Sequence, residues 1–188
     1  MTPSPCRTAR RARGLTLLEL LIGVAMLAIL LALAAPEFGS WIRNYRLALQ
    51  TSDFTSSLAY ARSEAVKRGT RVAMCKSAAP TASAPACSTS GSWAAGWLVY
   101  VDNVHVAGNN PGVIDGTDVV LRIGEPLAGA AISAAANLAN WLAYTPDGLA
   151  VSGGGSAAGA LRLCQGDVGQ EITLNNVGRV ATSKVDCS

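Results

Sequence analysis

Side chains able to do chemistry are sparse in this sequence. It holds one histidine, His105, and five cysteines, Cys6, Cys75, Cys87, Cys164 and Cys187. One carboxylate, Glu19, stands inside an otherwise apolar run. A histidine with no nucleophile motif beside it forms no acid–base pair and reads as an exposed loop residue. The stretch Ser152–Gly159 is rich in glycine but lacks the Lys-Ser/Thr of a phosphate loop, so it reads as a flexible turn. Asp102, Asn103, Asn109, Asn110, Asp115 and Asp118 offer oxygen atoms of the kind calcium takes. Their spacing does not match the EF-hand loop, and turn chemistry accounts for the same residues. No catalytic residue, metal site or cofactor is assigned on these grounds, with calcium the one weak alternative.

The cysteines and Glu19 say more. No CxxC is present and the single histidine completes no zinc set. With Cys6 set aside in a basic leader, four cysteines remain, and three pairings are open. Cys75–Cys87 and Cys164–Cys187 are favoured because each closes a local loop between neighbouring elements; free buried thiols are the alternative. Glu19 poses a sharper question, because a carboxylate inside an apolar span costs on the order of a few kcal/mol and marks a functional position.

The elements that position these residues follow from composition and period. The chain has 188 residues, 50% hydrophobic and 14% charged, enough for one domain with a real core. Disorder and a multi-span membrane fold are excluded, since one apolar run alone reaches bilayer length. The formal charge of +3 is misleading. Arg7, Arg10, Arg11 and Arg13 crowd the leader, and beyond it eleven bases face twelve acids. Residues 43–76 are basic, seven bases against two acids, while residues 77–188 carry four bases against eight acids. The basic excess of 43–76 reads as a solvated face near anionic lipid.

Residues 1–14 form the leader and residues 15–35 an apolar helix about 31 Å long, the thickness of a hydrocarbon core. Arginines before the span and none inside it place the N-terminus in the cytoplasm and the body outside. A secretory signal peptide cut after Ala32-Leu33-Ala34 is the alternative, but the apolar run exceeds the usual ~7–15 residues and Glu19 would have no purpose in it. Residues 36–69 continue as an amphipathic helix, bent near Pro36 and Gly39 and stopped at Gly69. Phe38, Trp41, Ile42, Tyr45 and Leu49 form one stripe; Leu47, Phe54, Leu58, Ala61 and Ala65 form a neighbouring one. Across 70–188 the period becomes two. Strands are expected at 70–75, 96–101, 119–123, 141–145, 161–165, 171–175 and 179–185, with 124–140 undecided between helix and loop with a short strand. The result is an α+β fold, a long helix on antiparallel sheet.

Gly14, then Leu15-Thr16-Leu17-Leu18-Glu19, then an apolar run to Pro36 resembles the type IV prepilin signature. The resemblance implies cleavage between Gly14 and Leu15 by a prepilin peptidase, N-methylation of Leu15, retention of the helix and an assembly role for Glu19. Leu15 stands where that family usually has Phe or Met. The body is similar to the GspH/FimT family of minor pilins and pseudopilins through Ala61-Arg62-Ser63-Glu64-Ala65, Cys75, Trp93-Ala94-Ala95-Gly96-Trp97, Tyr144-Thr145-Pro146-Asp147-Gly148 and Gly178-Arg179-Val180. That similarity implies a type IV pilin-like fold and a structural subunit of a type IV pilus or type II secretion system. It would be anchored in the bacterial inner membrane with its body in the periplasm, and its partners would be other pilins.

Some FimT-like proteins bind DNA through a C-terminal G-R-x-R pattern. Here Gly178-Arg179-Val180-Ala181 keeps the first arginine and lacks the second. Arg179 and Lys184 are the candidate DNA contacts, but five positions apart in a strand they face opposite sides. A DNA receptor is the alternative function.

Overall fold

The computed structural model describes residues 16–187, and the side chains of all of these except 33–37. Cys6, Gly14, Leu15 and the side chain of Pro36 lie outside the described residues. Helix α1 runs from Leu17 to Arg68, and its assignment continues across Pro36 and Gly39. The chain divides into two compact units, residues 1–41 and 42–188.

In the first unit the helix presents leucine, isoleucine, valine and methionine side chains outward, from Leu17 to Leu31. Among the described residues no helix is long and apolar enough to cross a membrane. The predicted span of 15–35 loses both ends to that boundary: its described side chains stop at Ala32, short of the ~20 residues a crossing needs. Phe38 and Trp41 stack at 5.9 Å between ring centroids.

The second unit holds the sheets. Helix α1 ends at Gly69, whose φ of 63° is the left-handed stop that glycine adopts without cost, with Lys67 and Arg68 favourably placed in the last turn. The strands are β1 (Val72–Lys76), β2 (Trp97–Val101), β3 (Val119–Gly124), β4 (Ala131–Ala134), β5 (Trp141–Tyr144), β6 (Ala150–Ser152), β7 (Gly155–Ser156), β8 (Gly159–Gln165), β9 (Val168–Leu174) and β10 (Val180–Asp186). One sheet runs β3-β2-β1-β5-β6-β7 and the other β10-β9-β8-β4, with antiparallel pairing throughout.

All seven expected strands are present. The undecided stretch 124–140 becomes β4 followed by a single 3-10 turn at Ala136–Leu138. The glycine stretch expected to be a turn is one: Gly153 and Gly154 close a hairpin in which Ser152 faces Gly155. Gly155 has a φ of 100°, a conformation glycine adopts without steric cost, and this is what the turn requires of the segment.

The core is built on the second helical stripe. Leu47, Phe54, Leu58, Ala61 and Ala65 are buried against Val72, Met74, Trp97, Val99, Leu142 and Tyr144 of the first sheet and Leu161, Leu163, Ile172 and Leu174 of the second. Most of the first stripe stays exposed, Phe38 61%, Trp41 62%, Tyr45 58% and Leu49 54%, with Ile42 half-buried. Period places side chains on a common face, but only the sheets decide which face is covered. The far side of the first sheet has its own small core of Ala73, Cys75, Leu98, Tyr100 and Ala143, against which Cys87 and Ile114 pack. Strands β1 and β2 are therefore buried at every position and, apart from Lys76 at the end of β1, read as apolar runs.

The Trp93–Trp97 element anchors this core. Phe54 meets both indoles edge-on, at 5.6 and 5.0 Å between centroids, and the Trp93 Nε1–H donates to the Leu138 carbonyl at 2.9 Å. Gly124 is glycine because a Cβ there would run into the Trp97 ring. Disulfides join Cys75 to Cys87 and Cys164 to Cys187.

Candidate functional site

Three places carry the residues singled out above. The first is the start of α1. Thr16 stands just before the helix, and its Oγ1 accepts the Glu19 backbone N–H at 3.2 Å. Its carbonyl accepts the Leu20 N–H at 3.1 Å. Thr16-Leu17-Leu18-Glu19 thus has the T-x-x-E arrangement of a capping box, a signal readable in the sequence and passed over there. The carboxylate lies in the first helical turn, where the positive end of the helix dipole favours it. Glu19 is exposed among exposed leucines, so its charge faces whatever covers that surface.

The second place is the loop between β2 and β3. Asp102 is wholly buried on its side chain and lies 3.0 Å from the Arg71 guanidinium, which also sits over the Trp141 ring at 5.0 Å. The Gly112 N–H donates to the same carboxylate at 3.3 Å. Burial pushes the Asp102 carboxyl up to about 6, against the opposing pull of Arg71 and Gly112. Asp118 accepts the backbone N–H groups of Asn103 and Asp115, and Asp115 accepts that of Asn110. Both Asp118 oxygens and one oxygen each of Asp102 and Asp115 are engaged in turning the chain, while the second oxygens of Asp102 and Asp115 are buried without a hydrogen-bond partner among the described residues. Among the described residues no group of three His, Cys, Asp or Glu side chains could hold a metal. His105 lies exposed in this loop.

The third place is a cleft of ≈ 750 Å³ beside the C-terminal half of α1. Two tight turns face the helix there. One follows β5, with the Gly148 N–H donating to Thr145 O at 2.8 Å; the other precedes β10, with the Gly178 N–H donating to Asn175 O at 2.9 Å. Both glycines have positive φ, 79° and 74°. Arg62 crosses to both turns, its Nε donating to Gly148 O at 3.1 Å and one Nη to Val177 O at 2.8 Å. Its place on the helix suggested only a wet face; the structure makes it the brace of the cleft. Tyr144 is buried there, its hydroxyl pushed up to about 12 by burial, with nearby Arg62 acting in the opposite direction. Arg179 lines this cleft and Lys184 does not. Lys184 lies within β10, opposite Gln170 of β9. The two candidate DNA contacts are thus not brought together.

Comparison with known proteins bears on all three places. The family described as "Type II transport protein GspH" matches residues 50–178, and the "Prokaryotic N-terminal methylation motif" matches residues 9–35. Two crystal structures of the type IV minor pilin FimU from Pseudomonas aeruginosa share the fold at 16% identity. Their TM-scores are 0.54 and 0.51, over 76% and 73% of this chain and 92% of the FimU chain in each case. No curated protein matches. The methylation motif takes in the exposed apolar stretch from Leu17 to Leu31, and the GspH match takes in the core stripe from Phe54 on, strands β1 to β9 and the braced turns up to Gly178, stopping short of Arg179 and β10. The family and the fold are those of structural pilins: the chain belongs to the GspH family and is a minor pilin or pseudopilin with a type IV pilin-like α+β fold.

Proposed function

We propose that this subunit is cut between Gly14 and Leu15 by a prepilin peptidase, N-methylated on Leu15, and joined to other pilins in the helical stack of a type IV pilus or type II secretion system. One observation carries the reading. The methylation motif at 9–35 runs into a helix whose apolar surface holds a single carboxylate, Glu19, in its first turn.

The chemistry follows from that placement. Cleavage after Gly14 creates a cation at Leu15, one helical turn from Glu19. In a stack of parallel helices, the carboxylate of one subunit meets the amine of its neighbour. Either charge alone in lipid-like surroundings costs several kcal/mol, so pairing them favours the assembled register. Residues 15–35 anchor the subunit in the inner membrane. The arginine-rich leader stays cytoplasmic and the body lies in the periplasm, where disulfides persist.

DNA uptake is the less favoured reading, because Arg179 and Lys184 stand apart and phosphate binding needs several cations acting together. Mass spectrometry of the mature protein tests the proposal. The expected N-terminus is methylated Leu15; a chain beginning at Ala35 would end it.

A further inference from the structure

Three segments far apart in the sequence meet at the cleft beside α1: Arg62 from the helix, Tyr144 to Gly148 from the turn after β5, and Gly178-Arg179 before β10. Their charges do not balance. Arg62 is fixed by the two carbonyl groups it braces, and no acid pairs with it among the described residues. Arg179 is exposed and also makes no ion pair there. Lys67 lies 3.7 Å from Glu64, but that carboxylate is held closer by Arg68, at 2.6 Å. The single acid lining the cleft is Asp147. The Tyr144 hydroxyl is buried beside Arg62 without a hydrogen-bond partner.

We propose that this cleft receives an aspartate or glutamate side chain from the globular body of a neighbouring pilin subunit, a reading that rests on the assembly role proposed above. A guanidinium already held at two of its nitrogens loses little freedom on meeting a carboxylate, and its remaining terminal N–H groups suit that geometry. Arg179 adds a second cation at the rim. A nucleic acid fits less well. Its regularly spaced phosphates need a row of cations, whereas Asp147 interrupts this cleft and Lys184 lies outside it. A neighbour built like this chain has carboxylates to offer, since residues 77–188 carry eight acids against four bases.

The test uses the full-length chain expressed with the other pilins of its assembly, at matched levels and with processing confirmed. Arg179→Glu is the main variant because the exposed side chain takes no part in holding the fold. Co-purification should fall about tenfold or more in Arg179→Glu and be kept or increased in Asp147→Asn. Purified chain should bind a short polyglutamate peptide at low salt, with the same loss in Arg179→Glu. Wild-type levels of co-purification in Arg179→Glu would overturn the proposal and leave the assembly role standing. Failure of the wild type to co-purify would overturn both. Tighter binding of an oligothymidylate of equal charge through Arg179 would overturn it in favour of nucleic acid.

Discussion

Among single residues, Asp102 couples the fold to pH. Its carboxyl is buried and its pKa rises from 3.8 to about 6, chiefly through loss of hydration, although Arg71 pulls the other way. The folded state therefore holds the proton more tightly than the unfolded state does. That contribution to stability is fully present below about pH 4 and is lost as pH rises through about 6. Asparagine at this position does not titrate, so the pair isolates the effect. The stability of wild type minus that of Asp102→Asn should fall by about 2 kcal/mol between pH 4 and pH 8, read by urea unfolding of the full chain in detergent through tryptophan fluorescence. A difference that instead grows with pH would mean that the Arg71 pair outweighs desolvation.

Strand β10 shows what holds an element that buries little. It lies at the edge of its sheet, pairs only with β9, and has no fully buried position. The Cys164–Cys187 bridge ties the residue just beyond β10 to β8, passing over β9 at Gly169, where a Cβ would strike the Cys187 sulfur. With its cysteines separated by 23 in sequence, the bridge should contribute about 2–4 kcal/mol by restricting the unfolded chain. Peptide mapping without reduction should recover Cys75–Cys87 and Cys164–Cys187. Replacing Cys164 and Cys187 by serine should speed amide exchange in β10 while β8 and β9 keep most of their protection. Equal loss across all three strands would mean that β10 is held by the common core.

For the whole molecule, the decisive residue is Glu19. Replacing it with alanine removes a carboxylate from an apolar surface, so membrane insertion should be kept or improved. On the proposed pairing, assembly should still suffer, because the amine of the adjoining subunit would be left buried without its partner, at a cost of several kcal/mol. The capping bond from Thr16 uses the Glu19 backbone and survives the change, which separates helix formation from pairing. Co-purification of Glu19→Ala with the other pilins, at matched expression and confirmed processing, should fall well below wild type. Wild-type levels would mean that the carboxylate only reaches the cytoplasmic headgroups.

Local pattern determined the helix, the seven main strands and the α+β class, and the resemblance of Gly14 to Glu19 to the prepilin signature implied the leader. Each of these is written in contiguous residues: a period of 3.6 or 2, a stop at Gly69, a glycine and a carboxylate five positions apart. Two further features were missed, the T-x-x-E cap at Thr16 and the short strands β6 and β7 on either side of the Gly153-Gly154 turn. Tertiary structure alone decided which helical stripe is buried. Both stripes are apolar along the chain, and only the sheets cover Leu47, Phe54, Leu58, Ala61 and Ala65, while Phe38, Trp41, Tyr45 and Leu49 stay exposed. It also decided the cleft. Arg62, Tyr144 and Arg179 are brought together by chain reversals at Gly148 and Gly178, and a site assembled across 118 positions of sequence leaves no period to read.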